Sequence, residues 1–262
     1  MIQIWQVTPT ENRKLETDAS TLDEVTRQLP EGYYSTFRTF DGGTRVLGLT
    51  SHLGRLYQPI STPDVSESVM RRRLSDLLEA YQPGEARVRA VMTRRGQVYL
   101  AITPLSPLPR EVYEKGVRAE TTELQRDHPV LKSTSFIGKS DPERRHIAQQ
   151  GVFEALLVKE GKIIEGMTSN FFYVIRAEQN ERRSGATNAV KAHASTSLVT
   201  KNVPPSAQRD VVLCTASDDI LLGITRETVI EIARGRGVAV NFQALELSQL
   251  ETIHEAFITS HL

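Results

Sequence analysis

Residues 154–174 read EALLVKEGKIIEGMTSNFFYV, and this stretch decides the fold class. Glu154 to Val158 and Lys162 to Ile164 are rich in β-branched and apolar residues and hinge on Glu160-Gly161, which predicts two strands joined by a turn. Asn170 to Ile175 predicts a third strand. Upstream, Gly116 to Thr121 predicts another strand, and Asp141 followed by Pro142 predicts a capped helix running to Gln150. Downstream, a strand over Val211 to Thr215 precedes a helix from Thr225 to Arg234. A strand at Val238 to Phe242, a short helix near Leu247 and a final strand at Ala256 to Thr259 complete the series. Residues 177–209 differ: they are polar, rich in Ala, Ser and Thr and nearly free of large apolars, which predicts a mobile insertion outside the core.

The first half continues the pattern. Ile2 to Val7 predicts a strand, and Thr21 with Glu24 three residues on predicts a helix opened by a capping box. Tyr33 to Phe40 predicts a strand that turns at Asp41-Gly42-Gly43 into a return strand, Arg45 to Leu49. Thr50 or Ser51 is expected to cap a helix through Leu56. Ser66 to Tyr81 carries Val69, Leu74, Leu77, Leu78 and Tyr81 at helical spacing, ended by Pro83-Gly84. Ala86 to Met92 and Val98 to Ile102 predict two strands around Arg95-Gly96. Pro104, Pro107 and Pro109 form the best linker in the chain and predict a domain boundary near residue 110. Strands and helices alternating loosely, with several hairpins, place the chain in the α/β or α+β class with two domains.

Composition narrows the function classes. The chain has 262 residues, 32 Lys plus Arg against 32 Asp plus Glu, and 39% hydrophobic residues, enough for a real core. Zero net charge argues against a dedicated nucleic-acid binder. A lone Cys214 excludes an internal disulfide or a Cys-based zinc site and fits a reducing, cytoplasmic compartment. No apolar run approaches the roughly 18 residues that span a bilayer, and MIQIWQVTPT has no signal-peptide pattern. His128 and His146 lack metal-ligand partners at recognisable spacing. Neither nucleic acid nor a membrane is therefore expected as a partner.

The chemistry rests on constellations. Lys132 opens a polar loop after Pro129, and Glu165 ends a strand 33 residues later. Alone, such a lysine is a solvated surface residue, and E-G-x-T-S-N is a turn between strands. A pyridoxal phosphate site needs both. There a lysine amine bonds the cofactor and then moves protons, while a carboxylate opposite the pyridine nitrogen keeps that nitrogen protonated. The phosphate needs cations and backbone donors. Gly223-Ile224-Thr225 opens a helix whose N–H groups and dipole can hold an anion; the alternative is an ordinary helix capped by Thr225. Arg55 shares a helix face with His52, three residues earlier; read alone it is a surface arginine.

Taken in order, GYYSTFRTFDGGTRVLGLTSHLGRL (32–56), RDHPVLKS (126–133), the stretch at 154–174, LLGITRETV (221–229) and EAFIT (255–259) resemble the fold-type IV, or class IV, pyridoxal-phosphate aminotransferases. That family includes branched-chain aminotransferase, D-amino-acid aminotransferase and aminodeoxychorismate lyase. The resemblance implies a small N-terminal α/β domain over 1–110 and a larger C-terminal mixed β domain over 111–262, with the cofactor between them and a homodimeric assembly. Lys132 matches the Schiff-base lysine, with Lys139 too close to Glu165 in sequence to compete. Glu165 matches the partner of the pyridine nitrogen, Arg55 the phosphate-binding arginine, and Gly223, Ile224 and Thr225 the helix-start phosphate donors. Ser169 and Asn170 match the loop beneath the cofactor, and Tyr34 the aromatic residue of the first-domain strand that approaches it. Arg38, four residues along the same predicted strand, shares Tyr34's face and is a candidate for the substrate carboxylate or for interface contacts.

Three departures accompany the likeness. The insertion at 177–209 stands where relatives use a short hairpin. After EAFIT relatives continue with Thr and Ser residues and a further strand and helix, whereas only Ser260, His261 and Leu262 follow here; part of one wall of the site is expected to be missing. Phe136 stands where some relatives place a tyrosine that bonds the ring oxygen. The reading is an aminotransferase moving an amino group between an amino acid and a 2-oxo acid. The alternatives are a lyase of the aminodeoxychorismate type and a non-catalytic family member.

Overall fold

The structure is a computed structural model that describes residues 1–81, 84–176, 195–196 and 211–260. The expected insertion at 177–209 lies outside the described residues except for Ser195 and Thr196, and so do Pro83 and the expectations that touch His261 and Leu262. The chain divides into two compact units: Met1–Pro107 with Leu131–Lys139, and Leu108–Val130 with Ser140–Ser260.

The first unit is built on a six-stranded antiparallel sheet ordered β2-β1-β6-β5-β3-β4. Its strands are β1 (Gln3–Val7), β2 (Asn12–Leu15), β3 (Gly32–Phe40), β4 (Arg45–Val46), β5 (Ala86–Thr93) and β6 (Val98–Pro104). Side chains alternate between the faces as strand geometry requires. Phe37, Val88, Ala90, Met92, Val98, Leu100 and Ile102 point to one face, where helices α2 (Leu49–Tyr57) and α3 (Glu67–Tyr81) cover them with Leu53, Leu56, Met70 and Leu74. The opposite face receives α1 (Leu22–Gln28) through Leu22 and Val25, while Tyr34, Val91 and Tyr99 meet Ile137. Covering both faces explains why these strands read as nearly continuous apolar runs instead of alternating ones. Leu53 and Leu74 are at most 1% exposed, so truncating either to Ala is expected to cost about 2–5 kcal/mol.

The capping box of α1 is present in both halves, Thr21 accepting from the Glu24 N–H and Glu24 from the Thr21 N–H. The expected return strand over Arg45 to Leu49 shrinks to β4, because Gly48 adopts a left-handed conformation (φ 64°) and starts α2 directly. Thr50 and Ser51 are thus inside the first turn, and neither caps it. β2, on an exposed edge with the sequence NRKL, carries no apolar pattern and was not expected. Lys132 lies in a loop, as expected, but the loop is short: a helix, α4 of unit one (Ser135–Lys139), follows closely.

In the second unit, a five-stranded sheet ordered β11-β7-β8-β9-β14 and a four-stranded sheet ordered β13-β12-β10-β15 enclose a core. The first comprises β7 (Val117–Thr122), β8 (Glu154–Lys159), β9 (Lys162–Gly166), β11 (Ser195–Thr196) and β14 (Leu245–Glu246); the second comprises β10 (Asn170–Arg176), β12 (Val211–Thr215), β13 (Ala239–Phe242) and β15 (Glu255–Thr259). Leu156, Ile163, Phe171, Tyr173, Val212 and Cys214 pack together between them. The outer face of the four-stranded sheet is closed by the helix Ile224–Gly235, whose Ile230 meets Phe172 and Leu213. The helix expected from Pro142 spans Asp141–Gln149, and its N-cap is Ser140 instead of Asp141: Ser140 is already helical, and its carbonyl accepts from the Arg144 N–H at 3.0 Å. No helix among the described residues is long and apolar enough to cross a membrane.

Candidate active site

Tyr34, Arg38, Arg55 and Lys132 belong to the first unit. The segment carrying Lys132 is stitched to the start of β3 by its backbone. The Tyr34 N–H donates to the Lys132 carbonyl at 2.9 Å, Thr134 N–H to the Gly32 carbonyl at 2.9 Å, and Gly32 N–H to Thr134 Oγ1 at 2.9 Å; Tyr33 and Ser133 form an isolated bridge. These bonds bring Lys132 Nζ to 5.0 Å from the Tyr34 ring centroid, within cation–π reach. Lys139 ends the short helix that follows.

A second cation shares that ring. Arg89 lies 4.7 Å from the Tyr34 centroid. Its side chain is 6% exposed and is held by Asp23 at 2.5 Å, by Thr36 Oγ1 at 3.0 Å and by Thr26 Oγ1 at 3.2 Å. Arg38 does share Tyr34's side of β3, yet its guanidinium is engaged: Glu85 pairs with it at 2.9 Å and the Phe40 ring lies 4.6 Å away. A substrate carboxylate would have to displace Glu85. Arg55 sits in the last turn of α2, half-buried, next to the buried Leu56.

Glu165, Ser169, Asn170, Gly223, Ile224 and Thr225 belong to the second unit, where they form one connected arrangement. Glu165 is the penultimate residue of β9, with its side chain 2% exposed. Arg126 Nε donates to its Oε1 at 2.7 Å, and the Leu221 N–H donates to its Oε2 at 3.0 Å. Asn170 Nδ2 donates to the Leu221 carbonyl at 2.7 Å, so both polar groups of Leu221 are fixed by site residues. The turn between β9 and β10 is held from beneath by Glu154. This carboxylate, 2% exposed, accepts from Thr168 N–H (3.1 Å), Thr168 Oγ1 (2.6 Å), Ser169 Oγ (2.8 Å) and Ala155 N–H (3.0 Å). Ser169 therefore spends its hydroxyl proton on Glu154.

The helix Ile224–Gly235 starts at Gly223, the N-cap, and among the described residues no side chain caps it. Thr225 is its second residue, so the ordinary Thr225-capped helix is not what forms. A helix start of this kind presents backbone N–H groups and the positive end of the dipole, which favour an anion. Arg226 is 3% exposed and braces the preceding loop, donating from Nη2 to the Ala216 carbonyl at 2.7 Å.

Four functional-looking side chains escaped the sequence reading: Arg126, Glu154, Arg89 and Asp23. Arg89 and Glu154 carried a usable signal, each being a charge set within an apolar strand, where ionised groups survive only when paired. Arg126 carried none, since its acceptor stands 39 residues away.

The sequence model of the family described as amino-transferase class IV matches residues 32–262. A Methanocaldococcus jannaschii protein assigned as a branched-chain-amino-acid aminotransferase is 27% identical over 256 residues, covering 87% of this chain and 74% of that protein. The D-alanine aminotransferase of Bacillus licheniformis is 24% identical over 250 residues, 89% of this chain and 76% of the relative. In fold, the chain is similar to the fold IV transaminase from Curtobacterium pusillum: TM-score 0.70 at 18% identity, over 100% of this chain and 89% of that one.

Proposed function

The chain belongs to the class IV amino-transferases, and from that premise we propose that it is a pyridoxal 5′-phosphate-dependent aminotransferase that moves an amino group between an amino acid and a 2-oxo acid. The observation that carries the reading is Glu165: a buried carboxylate, held by Arg126 and by the Leu221 N–H, fits the role of partner to a ring nitrogen better than any role in packing.

The donor set suits this cofactor by its chemistry. A primary amine, a buried carboxylate, an arginine and an uncapped helix start answer the cofactor's aldehyde, ring nitrogen and phosphate in turn. When bound, pyridoxal 5′-phosphate supplies an electron-accepting ring. Lys132 Nζ would take the proton from the substrate α carbon and deliver it to the carbon on the other side of the transferred nitrogen. The Tyr34 face steadies that ammonium group when it is charged. Glu165 holds the proton on the ring nitrogen. Arg55 and the backbone donors of Gly223, Ile224 and Thr225 would hold the phosphate, and Ser169 and Asn170 would support the ring. Tyr34 faces substrate, whereas Arg38 serves the sheet through Glu85. The reading includes a homodimer, as in the family it resembles, and a cytoplasmic location.

Two measurements test it. Purified chain mixed with pyridoxal 5′-phosphate is expected to gain an absorbance band at the visible edge, and borohydride followed by peptide mapping is expected to place the adduct on Lys132. A Lys132→Ala variant that still yields an adduct, on Lys139 for example, refutes the assignment. An amino-donor screen with a 2-oxo acid acceptor then separates transamination from lysis, which releases pyruvate without an acceptor.

A further inference from the structure

Arg126 lies outside every helix and strand, and the reaction as read above gives it no task of its own. Its side chain is nevertheless only 6% exposed, and it serves two acceptors at once. Nε donates to Glu165 Oε1 at 2.7 Å and Nη2 to the Met167 carbonyl at 2.8 Å. One planar guanidinium therefore ties the carboxylate to the backbone of the turn that follows it. A surface ion pair contributes little and tolerates loose geometry; a pair this deeply buried must be held in place, because either partner left alone is a charge in a poorly polarisable interior.

We propose that Arg126 is the positioning residue of this site: it keeps Glu165 ionised and aims its carboxylate by clamping it to the Met167 carbonyl. The functional consequence rests on the reading of Glu165 as partner of the ring nitrogen, while the ion pair stands without that reading. A carboxylate offers about four lone-pair directions. Arg126 and the Leu221 N–H each take one of them. If Arg126 lost its charge, burial would favour the neutral carboxyl, and a neutral carboxyl gives a protonated ring nitrogen no negative partner.

The other charged groups on the surrounding elements have their own partners or lie at the surface. Glu154 on β8 is saturated by Thr168, Ser169 and Ala155. Lys159, at the far end of β8, pairs with Asp219, and Asp218 accepts from Ser217. Arg226 pairs with Glu227 and the Ala216 carbonyl. Lys162, Asp127 and His128 are exposed.

The test compares the full-length, cofactor-free chain as wild type, Arg126→Gln, Glu165→Gln and the double variant, by urea unfolding between about pH 5 and pH 8. Without the arginine charge, the folded-state pKa of Glu165 rises above its unfolded value of about 4.3. The folded chain then keeps a proton that the unfolded chain has released, so stability is greatest at the acid end and declines as pH rises towards the folded pKa. R126Q is expected to show this extra decline in urea midpoint, and R126Q/E165Q to lose it. Arg126→Lys, which restores the charge, is expected to remove the decline as well. A midpoint lowered equally at every pH, with R126Q and the double variant running parallel, assigns Arg126 a purely structural role and overturns the proposal. Should R126Q not fold, wild type is compared with Glu165→Gln by urea unfolding from about pH 5 down to about pH 3: a carboxylate held ionised by Arg126 has a lowered folded pKa, so wild type is expected to lose stability relative to E165Q as pH falls, and a difference that stays constant overturns the proposal.

Pyridoxal 5′-phosphate titrated into the same proteins and followed by its absorbance is expected to bind R126Q about ten-fold or more weakly than wild type. If wild type takes up none, the functional reading fails, while the pH profiles still decide the role of Arg126.

Discussion

Replacing Gly223 with alanine isolates a single contact. Gly223 has φ −67° and ψ 138°, a conformation open to any residue, so the backbone does not object. One atom does: a Cβ at this position would stand 1.9 Å from Asn170 Oδ1, where 3.0 Å is the practical limit. Asn170 must retreat by about 1.1 Å, or the start of the helix Ile224–Gly235 must swing away. Retreat is expensive, because Asn170 is 7% exposed and its Nδ2 donates to the Leu221 carbonyl at 2.7 Å. Orphaning that buried pair costs about 1–3 kcal/mol, and the forced displacement adds about 1–3 kcal/mol. The stiffer unfolded chain offsets about 0.4–1 kcal/mol. Gly223→Ala is therefore expected to lose about 2–4 kcal/mol in urea unfolding, with no change in slope. Asn170→Ala alone should lose about 1–3 kcal/mol. Because both effects run through one side chain, N170A/G223A should be no less stable than N170A, a favourable coupling equal to the whole G223A loss, about 2–4 kcal/mol. A G223A chain within about 0.5 kcal/mol of wild type, or a double variant at the sum of the two single losses, would refute the contact as the reason for glycine.

Further outcomes follow from the same geometry. Asp23→Ala should cost more than Arg89→Met, about 3 kcal/mol or more, because it strands a guanidinium that is 6% exposed while the reverse change leaves an acid that is 23% exposed; equal losses in urea unfolding would show the pair to be a surface one. Glu154→Ala should lose about 2–4 kcal/mol by leaving the Thr168 and Ser169 hydroxyls without an acceptor, and Glu154→Gln, which keeps one acceptor oxygen, should lose less. No difference between these two variants in thermal unfolding would mean that the carboxylate does not template the turn. Tyr57 donates to the Val65 carbonyl, and burial, aided by the negative charge of Glu67, pushes its phenol up to about 12. The raised value means that stability falls as pH climbs from about 10 towards 12; alkaline difference absorbance should show a late-ionising tyrosine that disappears in Tyr57→Phe, and its persistence there would disprove the assignment.

What the sequence disclosed tracks the range over which each cause acts. Thr21 and Glu24 are three residues apart, and their reciprocal cap needs nothing else, so it could be read directly. The β8–β9 hairpin was equally plain, because Glu160 and Gly161 sit between two apolar runs and take the left-handed conformations (φ 51° and 73°) that such a turn needs. Start signals misled where two candidates competed within a turn: Gly48 outranked Thr50, Ser140 outranked Asp141, and Gly223 outranked Thr225. The site was legible as a set of residue types but not as a network. Glu165 could be singled out, whereas Arg126 sits 39 residues before it and Leu221 56 residues after it, and no periodicity links them.

The backbone bonds between Lys132 and Tyr34 have a consequence for motion. Amide exchange reports the smallest opening that frees each N–H, and contiguous groups open together. The Tyr34 amide gives its proton to the Lys132 carbonyl, and Thr134 and Gly32 bond in both directions. Releasing the lysine segment therefore means fraying the first residues of a nine-residue strand whose neighbour, β5, is wholly interior to the sheet. The amine thus borrows its steadiness from the cooperative unit of the sheet. Its neighbours at 131–134 should exchange as slowly as β3 itself, and a change that loosens β3 should blur the amine's position before it unfolds anything.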